Sequence, residues 1–212
     1  RDVTNCPVLY VTGTAYKMVW DFSDSDRFIY SYFEEQRDKK LGLNDRPSMN
    51  VTLAKYQSSK YQDLFGDDPD AMKNLFGVDD NGEFIESDLV EEFVSNYFTV
   101  QRHLRSKDRL LTGSRHLYIT LPSVSACYAF AEYLKTTRYA PLVVTGDSKN
   151  DSVDINKHIE ENKNGSAILT RTANVLGVTA SKVDTIINCA EGSSIEFWTQ
   201  FAFRGGSGDH NW

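Results

Sequence analysis

The chain has 212 residues, 40% of them hydrophobic and 25% charged, and its formal net charge is −7. This length and composition are typical of a globular protein with a substantial buried core. No apolar run approaches the roughly 20 residues that span a bilayer, and no basic segment leads into an apolar one at the start. We therefore expect neither a membrane span nor a signal peptide.

The three cysteines, Cys6, Cys127 and Cys189, are far apart in apolar surroundings. There is no CxxC pair and no Cys/His cluster, so the sequence predicts no metal site. Buried free thiols are typical of a reducing compartment, and a cytoplasmic location is expected.

The charge is unevenly distributed along the chain. Residues 61–100 hold eleven Asp or Glu and one Lys, a local net charge of −10 that leaves +3 for the rest. The next segment, residues 101–115, is basic. Nucleic acid is repelled by the first segment and attracted to the second, so the overall acidity neither supports nor excludes DNA binding. A solvated surface is the simplest interpretation of the acidic segment; a cover for a DNA channel or a docking site for a partner subunit are the alternatives.

The sequence pattern of the first half of the chain predicts one strand and two helices. Residues 7–16 are predicted to form an apolar strand that leads into a Thr-Gly-Thr turn, and residues 24–41 have a charged helical pattern. From Ser87, a good N-cap, an amphipathic helix is predicted to about Leu104, with one apolar face that indicates core packing. Because the chain opens almost inside a strand and stops directly after a helical pattern, we expect both ends to be cuts in a longer protein.

From residue 115 onwards, short apolar runs alternate with helical patterns. The predicted strands are 116–121, 141–145, 166–170 and 183–189, and the predicted helices are 123–136, 154–163 and 194–204. This alternation predicts βαβ units and a parallel sheet, in which ligands bind at the carboxyl ends of the strands.

Polar residues stand at the carboxyl ends of three predicted strands. They are Thr120 and Ser123, Thr145 and Gly146, and Thr170 and Arg171. Hydroxyls and backbone N–H groups at helix starts bind the phosphate backbone of nucleic acid well. For any one of these residues N-capping is the competing interpretation, but the repetition at three strand ends favours binding.

A further candidate lies near the end of the sequence. Gln200 and Arg204 are four residues apart and share one face of a predicted helix that two glycines close. An always-charged guanidinium there suits a nucleotide phosphate, although the helix dipole also favours a surface Arg at this position. The sequence contains no GxxxxGK[ST] phosphate loop and no Asp-Glu pair at a strand end that would hold Mg²⁺, so a self-contained hydrolase is not predicted.

Four segments resemble motifs of superfamily 2 helicases, in the order that the family has them. Residues 167–179 (AILTRTANVLGVT) resemble motif V, a strand that ends in Thr with Gly seven residues later. Residues 200–204 (QFAFR) resemble motif VI. Residues 8–15 (VLYVTGTA) are similar to motif III, and residues 117–123 (LYITLPS) to motif IV.

Within the superfamily, residues 176–179 followed by 203–207 are similar to the type III restriction enzyme-like branch of bacteria, plasmids and phages. The resemblance implies an α/β fold whose RecA-like parallel sheet, flanked by helices, is the second motor domain. It divides the chain into the tail of a first motor domain at 1–22, a largely helical acidic insert at 23–110 and the second motor domain at 111–212.

The resemblance also implies a function, an ATP-dependent DNA helicase or translocase, and roles for particular residues. Arg204, with Gln200, would reach the γ-phosphate of ATP–Mg²⁺, which the full-length protein holds between its two motor domains. DNA would be held by its backbone. The residues implied for that contact are Thr120, Ser123, Thr145, Gly146, Thr170 and Arg171, and those implied for ATP binding or coupling are Gly177, Thr179, Thr12 and Thr14.

Partners implied by the resemblance are DNA, an N-terminal motor domain and, in this branch, nuclease or methyltransferase subunits. Without a phosphate loop and DEAH box, the chain by itself is expected to be inactive as an enzyme. Three positions depart from the family pattern: Thr179 replaces an Asp in motif V, and Phe203 and Ser207 replace the Gly and the last Arg of motif VI. Two alternatives stay open: a non-catalytic nucleic-acid- or protein-binding module, and an unrelated nucleotide or sugar-phosphate binding protein.

Overall fold

The structure is a computed structural model. It describes residues 23, 31–43, 56, 58–99, 111, 113–145, 151–171 and 182–190. The chain divides into two compact units, Arg1–Asp45 and Arg46–Trp212. No helix of the described ranges is long and apolar enough to cross a membrane.

The first unit contributes one described helix, α1 (Tyr32–Lys40). Ser31 begins it with a capping box: its hydroxyl accepts the backbone N–H of Glu34 at 3.3 Å, and the Glu34 carboxylate accepts the N–H of Ser31 at 2.6 Å. This helix coincides with the later part of the helical pattern predicted over 24–41, and residues 24–30 of that pattern lie outside the described residues.

Three further helices form what we call the helical layer: α2 (Ser59–Phe65), α3 (Ala71–Leu75) and α4 (Ser87–Tyr97). Helix α4 begins where the sequence predicts it, although Glu86 occupies the N-cap position and Ser87 is the first helical residue. It ends at Tyr97 and not near residue 104 as predicted. Its apolar positions, including Leu89 and Phe93, are buried, as the spacing indicates.

The second half of the chain forms a four-stranded, all-parallel sheet, as predicted. The strands are β1 (His116–Leu121), β2 (Ala140–Val144), β3 (Ser166–Arg171) and β4 (Thr185–Asn188), in the spatial order β2-β3-β1-β4. Helix α5 (Val124–Leu134) joins β1 to β2, and helix α6 (Asp151–Glu161) joins β2 to β3. These bounds lie within four residues of the predicted ones.

The two connecting helices cover opposite faces of the sheet. Leu117 and Leu169 face a core that includes Phe130 of α5, whereas Tyr118 and Ile168 face a smaller core that includes Ile155 of α6. This arrangement follows from right-handed crossovers, because the chain moves along the sheet in one direction through α5 and in the other through α6. Strands β1 and β3, buried on both sides, are therefore the centre of the fold.

The helical layer shares the larger core with α5 and the sheet. Phe76, which follows α3, stacks edge-on against Phe130 of α5 with ring centroids 5.6 Å apart, and Phe98, which follows α4, does so at the same distance. Tyr139, just before β2, extends the chain of rings at 6.1 Å from Phe98. The core thus runs across the boundary predicted between residues 110 and 111.

Candidate nucleic-acid interface

The strand order brings the ends of β1 and β3 together. These strands are neighbours, and Leu121 is in register with Arg171. From β1 the chain continues to β2 on one side of this pair, and from β3 it continues to β4 on the other side. In open parallel sheets ligands bind outside the carboxyl ends of the strands where the strand order changes direction. We call the described residues at these ends the carboxyl edge. They are residues 121–123, 145, 171 and 188–190.

Ser123 begins helix α5 at the carboxyl edge. Its hydroxyl accepts the backbone N–H of Ala126 at 3.0 Å, so the capping interpretation of this residue is correct. The side chain remains half-buried, and the first N–H groups of an 11-residue helix lie beside it. Because the amino end of a helix carries partial positive charge, this position favours an anion.

Thr120 and Thr170 do not face solvent, in contrast to the prediction that they contact a nucleic-acid backbone. Both side chains are 0% exposed. The Thr120 hydroxyl donates to the Asn188 side-chain oxygen, and the Thr170 hydroxyl donates to the carbonyl oxygen of Val144 at 2.9 Å. Each lies one residue before the end of its strand, on the α6 face, so these hydroxyls tie neighbouring strands together.

Arg171 is the last residue of β3 and is exposed. No ion pair to its guanidinium occurs within the described part of the chain. It is the only charged side chain among the described residues of the carboxyl edge, in a protein with a net charge of −7. Thr145, half-buried, follows β2 at the same edge. An exposed guanidinium in this position fits the recognition of a phosphate.

Asn188 belongs to the carboxyl edge, where the sequence directs attention to residues 188–194, but it was not among the predicted binding residues. It is the last residue of β4, and its side-chain oxygen accepts two hydrogen bonds, from the Thr120 hydroxyl and from the backbone N–H of Ala190 at 3.0 Å. The available signal was an amide residue near the carboxyl end of the predicted strand 183–189.

The carboxyl edge offers donors but no acid–base or nucleophilic group among its described residues. Burial raises the pKa of the Cys189 thiol to about 12, so the thiol stays protonated at neutral pH. No cluster of metal-binding side chains occurs in the ranges that the structure describes. The edge is therefore suited to holding an anion.

Several predicted site residues lie outside the described residues. They are Thr12, Thr14, Gly146, Gly177, Thr179, Gln200 and Arg204. The departures at Phe203 and Ser207 lie outside them as well. The implied ATP contacts therefore stay predictions.

Comparison with known proteins identifies no relative. No protein-family model, no curated protein and no solved structure matches the chain. The resemblance to superfamily 2 helicases rests on its four sequence motifs.

Proposed function

We propose that this chain is the second, RecA-like motor domain of an ATP-dependent DNA helicase or translocase, and that its carboxyl edge binds one nucleic-acid strand by the phosphates. One observation carries the proposal. The segments that resemble motifs IV and V begin in β1 and β3. The first residues of these strands are 50 positions apart in sequence, yet the strands are neighbours and end at the same edge. Motifs that act on one ligand need this proximity.

The chemistry of the carboxyl edge agrees with backbone binding. Arg171 supplies a fixed positive charge, and the amino end of α5, capped by Ser123, supplies oriented N–H groups. Such groups bind phosphate oxygens without reading bases, so we expect binding that is salt-dependent and largely independent of sequence.

The resemblance further assigns Arg204 and Gln200 to the γ-phosphate of ATP–Mg²⁺, shared with an N-terminal motor domain. ATP hydrolysis supplies the free energy for movement along DNA in such motors. In a longer protein that includes the first motor domain, Arg204→Ala should abolish turnover and leave ATP binding largely intact.

A non-catalytic nucleic-acid-binding module is the second candidate. The observation that favours it is the carboxyl edge itself, whose described residues include hydrogen-bond donors and one cation but no carboxylate or histidine. This candidate predicts the same DNA binding as the motor, but no DNA-stimulated ATPase activity when the upstream motor domain is added.

Binding of a fluorescent single-stranded oligonucleotide, followed by anisotropy at several salt concentrations, tests the proposal on the 212-residue chain. Arg171→Gln should weaken binding about 3- to 10-fold and reduce the slope of log K against log salt by about 1. The matched control is Lys135→Gln, which removes the same charge just after the last residue of α5, at the opposite edge of the sheet. Equal losses in the two variants, or no salt-dependent binding by the parent chain, would refute the interface.

A further inference from the structure

The side-chain amide of Asn188 is held in one orientation by its neighbours. Its oxygen accepts from the Thr120 hydroxyl and from the backbone N–H of Ala190. An amide turned by 180° would bring its NH₂ group against the N–H of Ala190, which cannot accept a hydrogen bond. The chemistry of these neighbours therefore decides which branch is oxygen and which is nitrogen.

The NH₂ group on the other branch is a donor without an acceptor in the described part of the chain. Asn188 is half-buried, so its amide is partly shielded from water, whereas Thr120 behind it is fully buried. A partly desolvated donor in a fixed direction gains more from a ligand acceptor than a mobile surface amide does, because its orientation entropy is already lost.

This donor lies at the carboxyl edge on the α6 face of the sheet, whereas Arg171, two residues after Leu169, ends β3 on the α5 face. Asn188 ends β4 in register with Thr120 of β1, one residue before Leu121 and the turn that leads to Ser123. Asn188 therefore shares the carboxyl edge with Arg171 but faces the other side of the sheet, and a ligand that contacts both must pass over the strand ends. No carboxylate among the described residues of this edge competes for its N–H groups.

We propose that the Asn188 amide donates a hydrogen bond to a phosphate oxygen of the ligand at the carboxyl edge, and that Thr120 is a positioning residue that acts through it. The inference rests on the proposed use of this edge for phosphate. The phosphate belongs either to a nucleic-acid backbone or to a nucleoside triphosphate, and the two sources share this chemistry.

Asn188→Asp is the discriminating variant. The carboxylate keeps an oxygen for Thr120 and Ala190 but replaces the donor by a second, negatively charged oxygen. Affinity for oligo-dT should fall at least tenfold, with the thermal midpoint of unfolding little changed. Asn164→Asp, the same change at an exposed turn before β3, is the matched control and should change affinity less than twofold.

The role of Thr120 is tested by a double-mutant cycle with Asn188, in which the affinity for oligo-dT is measured. Thr120→Val keeps the shape and removes the donor, and it should weaken oligo-dT binding about threefold, whereas Thr120→Ser restores it. In an Asn188→Ala background Thr120→Val should have no further effect on affinity. A purely structural role for Thr120 would give the same loss of affinity in both backgrounds.

Side-chain amide signals in ¹⁵N-correlated NMR spectra distinguish the ligand sources. The Asn188 pair is identified by its absence from the spectrum of Asn188→Asp, and it should shift on addition of oligo-dT, of ATP or of both. A shift with oligo-dT identifies the nucleic-acid backbone as the source of the phosphate. A shift with ATP alone identifies the nucleotide as that source. If the chain binds oligo-dT with the Arg171 dependence described above, but Asn188→Asp binds oligo-dT equally well and the Asn188 signals shift with neither ligand, this inference fails and the proposed interface stands. If oligo-dT does not bind, the interface proposal fails, and the absence of a shift with ATP as well would overturn the donor.

Discussion

The Nδ1 atom of His116 lies 2.9 Å from the hydroxyl oxygen of Ser166, and the two residues are the first register pair of β1 and β3. Both side chains are buried. Burial lowers the pKa of His116 below its usual 6.5, and the positive charges of Arg115 and Lys182 lower it further. Asp184 and Glu160 oppose that shift without cancelling it.

We predict that stability falls on acidification because of His116. The folded state holds the imidazole neutral, so between the lowered folded pKa and 6.5 the unfolded state binds more protons and the free energy of unfolding rises with pH. The contribution is fully present above pH 6.5 and is lost as the pH falls towards the folded pKa. Urea unfolding at pH 7.5, 6.5 and 5.5 should show a steeper decline for the parent chain than for His116→Asn. Parallel pH profiles for the two proteins would contradict this.

The aromatic contacts predict that the helical layer and the sheet unfold together. Phe76, 1% exposed, contacts Phe84, Phe93 and Phe130 with ring centroids 5.5–5.9 Å apart. Phe76→Ala should cost about 3–5 kcal/mol, since it removes a fully buried ring. Hydrogen exchange followed by mass spectrometry should then speed up in peptides of β1 as well as of α4.

Tyr128→Ala is the control for that experiment, because Tyr128 lies on α5 but is 57% exposed. It should change the free energy of unfolding by less than about 0.5 kcal/mol. Faster exchange confined to the helical layer in Phe76→Ala would show that the two parts fold independently.

Gly165 predicts a steric constraint at the start of β3. A Cβ atom there would lie 2.8 Å from the carbonyl oxygen of Arg138 and 3.3 Å from Cδ1 of Tyr139. The first contact is with backbone and cannot be relieved by a rotamer change, so Gly165→Ala should destabilise by about 1–3 kcal/mol. Thermal unfolding measures this, with the exposed neighbour Asn164→Ala as the reference that should stay within about 0.5 kcal/mol.

Ser123 allows capping and ligand binding to be separated. Ser123→Ala removes the cap of α5 and should cost about 1 kcal/mol of stability. Ser123→Asp preserves the cap, because Asp is an equally good N-cap residue, but places a carboxylate at the carboxyl edge. We expect it to keep the unfolding midpoint and to weaken oligonucleotide binding. Unchanged binding in Ser123→Asp would place the ligand away from this helix start.

The elements of the sheet could be predicted because each strand is a short apolar run bounded by polar turns. The strand His116–Leu121 was predicted to the residue. The burial of Thr120 and Thr170 could not be predicted, because a strand covered on both faces has no apolar–polar alternation to indicate which side a hydroxyl faces. Local pattern assigns such a hydroxyl to the strand end, whereas tertiary packing decides whether it reaches solvent.

Contacts between segments far apart in the chain also could not be predicted from the sequence. The apolar face of α4 indicated that Phe93 is buried, but not that it reaches the aromatic cluster around Phe130 of α5. The role of Asn188 depends on Thr120, 68 residues away, and no local spacing records that relationship. The ATP contacts expected from Arg204 and Gln200 remain predictions.

The insertion of β3 between β1 and β2 has a consequence for synthesis of the chain. Strands β1 and β2 do not pair with each other, and both take β3 as a neighbour. A nascent chain that has reached residue 144 therefore exposes two apolar strands whose backbone N–H and C=O groups are unpaired. The edges that pair with β3 stay open until residues 166–171 leave the ribosome. At ~5–20 residues per second this interval lasts roughly 1–5 s, a period in which an unpaired edge invites aggregation and in which chaperone binding protects the chain.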